Sequence, residues 1–283
     1  MSFGERRARA AQLLRRALLV LREDKALIIL PLFGGIGLLL VFGAIAVLFS
    51  VDHQLLSYLQ GESTEAEAAY IAFAFCFYFA VYFVVVFFNS ALVAAVVDKL
   101  NGGRGSVLRG LGLAIVRLPQ IVAWVAVSAT VGVVLSFLRD RLPLGGGLIA
   151  LFGGLAWSIA TFFVVPVMVV EKVGPVSAIK RSVEILRRTW GEALMAKIGL
   201  TVGAAFITVP IALVLMGLIF VLPDQYRMYP IAALVVFCFF GLIIMTTLKM
   251  IVLAALYLYA ETGKAPSPFN EDQLRAVVQQ KGA

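Results

Sequence analysis

Lys249 stands deep inside a long apolar run, and three carboxylates, Asp98, Glu171 and Glu261, each stand at the end of one. An ionisable group in hydrocarbon is expensive and is a functional hypothesis by default. Counted from Pro230, Lys249 lies about 28 Å along a helix, close to one membrane interface. Its stem can carry the ammonium to the headgroups or into a structural pair. The sharper alternative joins it to Glu261, Glu171 or Asp98 in a polar ring. The carboxylates fall at predicted helix C-termini, where the macrodipole disfavours negative charge. A Lys or Arg from a neighbouring helix is the simplest compensation, giving a salt bridge that fixes orientation. A cation or proton relay is the alternative. Asn89 and Ser90 fall mid-span and need partners in lipid. Pro166 and Pro210 can kink their helices.

Other chemistry lacks its residues. His53 is the sole histidine, beside Asp52, and a lone imidazole completes neither a catalytic triad nor a metal set. Cys76 and Cys238 lie inside predicted spans without metal-ligand spacing and read as small apolar filler in a helix bundle. No phosphate-binding glycine loop, paired carboxylates or H-E-x-x-H occurs. The expectation is a protein that is not an enzyme and holds no cofactor or metal. The balance of 24 Lys and Arg against 16 Asp and Glu, net +8, suits anionic lipid better than nucleic acid, because no basic run alternates with aromatics.

The elements that would position these residues are six apolar segments: Ala26–Phe49, Tyr70–Val97, Pro119–Leu138, Gly147–Val170, Ala193–Leu222 and Pro230–Ala260. Each reaches the ~20 residues a helix needs to cross a bilayer. The fold class is all-α, a polytopic six-transmembrane-helix bundle in one membrane domain. Residues 1–25 form a cytoplasmic amphipathic helix with Ala10, Leu13, Leu14, Ala17, Leu18 and Leu21 on one face. Residues 261–283 form a cytoplasmic tail. Basic residues crowd one side: Arg6, Arg7, Arg9, Arg15, Arg16, Arg22 and Lys25 before the first span, Lys99, Arg104, Arg109 and Arg117 after the second, Lys172, Lys180, Arg181, Arg187 and Arg188 after the fourth. The other side has Arg139, Arg141 and Arg227, with Asp52, Glu62, Glu65 and Glu67. This asymmetry predicts both termini in the cytoplasm. The basic N-terminal region is too long for a signal peptide.

The second to fifth spans read as two copies of one unit. "VVDKLNGGRGSVLRGLGLAIVRLPQ" and "VVEKVGPVSAIKRSVEILRRTWGEA" share a Val-Val-acid-Lys step, a glycine turn, a short amphipathic helix and the next span. The short helices are expected over residues 106–118 and 175–190. The first carries the stripe Leu108, Leu111, Ile115 and Leu118, and the second Val176, Ile179, Val183, Leu186 and Trp190. Both should lie at the cytoplasmic interface with Arg15, Arg16, Arg22, Arg109, Arg187 and Arg188 at headgroup level. A third copy would be split between the termini. Spans two and six exceed the bilayer, so their inner ends should project into a cytoplasmic collar. Gly146, Ala150, Gly154 and Ser158, and Gly199 and Gly203, are spaced for close helix packing.

Glu171, Gly174, Pro175, Ala178, Ile179, Lys180, Arg181, Ser182 and Trp190 form an E-x-x-G-P-x-x-A-I-K-R-S…W string. It resembles a motif of uncharacterised bacterial six-span integral membrane proteins. The layout is similar to that of YciC-type inner-membrane proteins and of the membrane domain attached to some glycerophosphodiester phosphodiesterases. The resemblance implies topology and a bacterial inner membrane, without a known activity. Two functions are expected to compete. One is a non-catalytic scaffold or complex subunit that binds lipid headgroups or a protein partner through its basic face. The other is a channel or transporter for a small solute or ion.

Overall fold

In a computed structural model the described residues are 3–51, 64–141, 146–188 and 208–269, and among them every regular element is helical. The helices are α1 (Phe3–Glu23), α2 (Ile29–Val51), α3 (Thr64–Leu100), α4 (Val107–Val116), α5 (Leu118–Arg141), α6 (Gly146–Ala160), α7 (Val164–Glu171), α8 (Pro175–Arg188), α9 (Thr208–Val221) and α10 (Met228–Thr262). Among the described residues five stretches are long and apolar enough to cross a membrane: Lys25–Ser50, Glu65–Leu100, Leu118–Arg139, Gly147–Glu171 and Asp224–Thr262. The first part of the fifth expected span, residues 193–207, lies outside the described residues, as do Trp190, His53, Gly199, Gly203 and the tail beyond Phe269.

The chain divides into two units, residues 1–32, 95–107 and 185–283, and residues 33–94 and 108–184. In the first, α1 packs against α10. Leu13, Ala17 and Leu21 of the expected α1 stripe are buried, joined by Val20. The facing part of the core is the end of α10, where every residue from Ile251 to Tyr259 is buried. Its preceding turns are different: Val235, Val236, Phe240 and Leu242 are exposed. α10 is thus mostly apolar, and protein encloses it continuously at its C-terminal end.

The second unit contains two antiparallel helix pairs. α2 and α3 meet through Phe33–Phe88, Phe42–Phe77 and Phe49–Phe73, with ring centroids 6.5, 5.8 and 5.6 Å apart. A Cβ built on Gly37 would stand 2.9 Å from Val84, so the α2 backbone comes close because that residue lacks one. α5 and α6 pair through stacked Trp124 and Trp157, 5.6 Å apart. The close approach uses Gly153 against Leu135, whereas Gly154, in the expected packing row, has open space at its Cβ. The close approach to α5 thus falls on Gly153, a residue outside the expected row. α3 also meets α5: the Tyr78 and Ser136 hydroxyls lie 3.4 Å apart, and Glu67 in the first turn of α3 pairs with Arg141 in the last turn of α5. Both charges suit the helix dipoles they stand on.

The expected continuous span over Gly147–Val170 is broken at Thr161–Phe163. Pro166 explains the place. It offers no N–H to the Phe162 carbonyl, four residues before it, and its ring crowds that oxygen. The chain tightens there: Phe162 N–H donates to Ile159 O at 3.2 Å, and the Thr161 hydroxyl donates to Trp157 O at 2.7 Å. Cys76 and Cys238 are exposed rather than filling the bundle interior. Their helices are apolar on every face, so periodicity could not say which side turned inward.

Candidate functional site

Across the break the Val164 N–H still reaches back to Thr161 O, at 3.2 Å, which leaves the Phe163 N–H to be satisfied from elsewhere. Phe163 is the N-cap residue of α7 and has no side-chain oxygen to cap with. The oxygen comes from α8 instead: Ser182 Oγ accepts the Phe163 N–H at 3.0 Å, with both residues fully buried. An apolar surrounding makes such a bond hard to replace, since the amide has no water to turn to.

The rest of the motif builds the return from α7 to α8. Glu171 ends α7, and Lys172 takes a left-handed conformation, φ 61°. Gly174 O accepts the Ala178 N–H at 2.9 Å, and Pro175 occupies the first helical position, where a missing N–H is harmless. Ala178 is fully buried. Arg181 Nε donates to Glu171 Oε1 at 3.3 Å, and its Nη1 donates to Glu184 Oε2 at 2.9 Å. α8 is thereby tied to both ends of α7, through Ser182 at the start and Arg181 at the end. Ile179 is half-buried, and Lys180 and Arg187 are exposed; the Arg188 side chain lies outside the described residues.

The Glu171–Arg181 pair is about a quarter exposed on each side. Water weakens a pair placed this way, so its coupling should be about 0.5–1 kcal/mol. A double-mutant cycle with Glu171→Gln and Arg181→Met, read by thermal stability in detergent, should give a coupling in that range; a coupling of zero would remove the pair from the clamp.

Asp98 has a different setting. Its Oδ2 accepts the Gly105 N–H at 3.2 Å and its backbone oxygen the Gly103 N–H at 2.8 Å, closing the loop after α3. Gly105 is left-handed, φ 63°, and a Cβ there would stand 2.6 Å from Asp24 Oδ2. Lys99 Nζ reaches Glu23 at 4.0 Å. Glu261 is exposed at the end of α10, just before left-handed Gly263. Lys249 is exposed, and no ion pair among the described residues involves it. Asn89 is half-buried, while the Ser90 hydroxyl is fully buried and has no hydrogen-bond partner among the described residues. Arg15, Arg22 and Arg109 are exposed and Arg16 is half-buried. Among the described residues no cluster of three His, Cys, Asp or Glu could hold a metal ion.

Sequence reasoning missed the cap. A proline four residues after a potential break, followed by a buried-face serine on the next helix, is the signal that could have found it. No curated protein matches the chain. A match that extends over residues 68–267, and so contains both the α3–α4 loop and the whole break with its clamp, supplies the relationship: the chain belongs to a family of unknown function, DUF6159.

Proposed function

We propose that the chain is a non-catalytic, multi-pass protein of a bacterial cytoplasmic membrane. It acts as a scaffold or complex subunit whose basic inner face binds anionic lipid headgroups or a protein partner. The observation that carries this reading is the apolar surface left uncovered on the long helices. Leu40, Phe152, Val235 and Leu242 are 70, 65, 63 and 69% exposed. Apolar side chains this exposed on each unit need lipid over them. In this reading α9 is the outer half of the expected fifth span, Ala193–Leu222, and both termini are cytoplasmic. The headgroup contacts are Arg15, Arg16, Arg22, Arg109, Arg187 and Arg188. The layout shared with YciC-type proteins and with phosphodiesterase-attached membrane domains belongs to the same reading.

Internal repetition supports the two-copy layout, which the transport reading would use as well. The fourth and eighth residues of α4 and of α8 are small and buried, Gly110 and Ala114 in one, Ala178 and Ser182 in the other. The second residue of each, Leu108 and Val176, is apolar and exposed.

Transport is the second reading, favoured by the broken α6–α7 span, since discontinuous helices build substrate sites in transporters. Against it, the buried polar side chains among those described carry hydroxyls and no charged group: Ser90, Ser128, Ser182, Thr247, Tyr257 and Tyr259. A charged solute would find little to replace its hydration. In liposomes the purified protein should give no solute or ion flux above empty vesicles, and Lys249→Ala should change nothing. Flux abolished by Lys249→Ala would transfer the assignment to transport. Flotation with vesicles containing phosphatidylglycerol measures the headgroup arm.

A further inference from the structure

We propose that α4 and α8 insert matching apolar edges into one leaflet, with Leu108, Ile115 and Val176 among the acyl chains and Arg109, Lys180 and Arg187 at the phosphates. This rests on the membrane reading above and names what covers these two helices. Each helix divides its apolar residues between two sides. Small residues face protein, as the burial of Gly110, Ala114, Ala178 and Ser182 requires. Ile185 and Leu186 of α8 join them, but three large residues turn outward: Leu108 is 80% exposed, Ile115 60% and Val176 65%.

The occupant follows from what accompanies these side chains. On α8, Val176, Lys180, Val183 and Arg187 follow one another at steps of four, three and four, which places them in one stripe. A stripe alternating apolar and basic residues suits neither water nor a protein core. It matches a phospholipid, whose chains take the valines while the lysine and arginine stems lift their charges to the phosphates. On α4 the same spacing joins Leu108 to Ile115 across Gly112, with Arg109 beside them on the exposed side. Helices of 10 and 14 residues are too short to span, so their exposed edges reach only a single leaflet.

The test uses a background carrying Cys76→Ala and Cys238→Ala, with single replacements Leu108→Cys, Val176→Cys and, on α6, Phe152→Cys, each carrying an environment-sensitive fluorophore. The full chain is reconstituted in vesicles of equal parts phosphatidylcholine and phosphatidylglycerol. Nitroxide on the upper acyl chain should quench the probes at 108 and 176 several-fold more than aqueous iodide does. Iodide quenching at both, with lipid quenching kept at 152, would overturn the insertion and leave the membrane reading standing. Iodide quenching at 152 as well would overturn that reading and this inference together. Probes at 108 and 176 that neither quencher reaches would mean that protein covers these edges, which also overturns the proposal.

Discussion

Replacing Gly105 with alanine will lower stability by about 2–4 kcal/mol, from strain plus a displaced cap. Three effects add. The residue is left-handed, φ 63°, where a side chain costs about 1–2 kcal/mol. The new methyl would stand 2.6 Å from Asp24 Oδ2 and 3.2 Å from Lys99 Cβ. Asp24 is not free to swing away, because its other oxygen accepts the Ala26 N–H at 3.2 Å and caps the turn leading into α2. Losing that cap costs about 1 kcal/mol. Two other glycines separate the causes. Gly102 is also left-handed, φ 87°, but has open space at its Cβ, so Gly102→Ala should lose only the strain term of about 1 kcal/mol. Gly112 is helical and open, so Gly112→Ala should stabilise by about 0.5–1 kcal/mol. Thermal melts in detergent should rank them Gly112→Ala, wild type, Gly102→Ala, Gly105→Ala. If Gly105→Ala melted with Gly102→Ala, the close approach to Asp24 would be wrong.

The features legible in the sequence were those with a repeat in one dimension. Apolar length gave the long helices, and the four-residue spacing of Leu13, Ala17 and Leu21 gave the buried face of α1. Glycine with proline at Gly174-Pro175 marked where α8 starts. The illegible features needed a second helix to define them. Gly153 rather than Gly154 meets α5, because rotation of an all-apolar helix leaves no trace in its pattern. The break at Thr161–Phe163 was hidden for a related reason. Pro166 permits a kink or a break, and a break persists only if the freed amide finds an acceptor. That acceptor is 19 residues away in sequence. Candidate residues fared similarly: their types were visible, but the loop around Asp98 and the exposure of Lys249 depend on folding.

Two buried serines should respond to alanine with opposite signs, and the contrast tests the clamp. Ser182 and Ser90 are both fully enclosed and lose the same hydroxyl. In Ser182→Ala the Phe163 amide loses the oxygen it donates to, in a place closed to water. A buried donor left unpaired costs about 1–3 kcal/mol. Ser90 Oγ has no partner to abandon, so Ser90→Ala removes an unsatisfied group and should be neutral or stabilising by up to about 1 kcal/mol. Cavity effects are equal in kind, since one oxygen atom is deleted in each, so the difference isolates the hydrogen bond. Thermal stability in detergent reads the sign. Amide exchange reads the site: in Ser182→Ala protection should fall first at Phe163 and the opening turn of α7, while α5 and α6, held by Trp124 on Trp157, keep theirs. Equal stability in the two variants, or unchanged protection at Phe163, would mean that α7 holds its start without α8, and that the motif serine has another reason to be there.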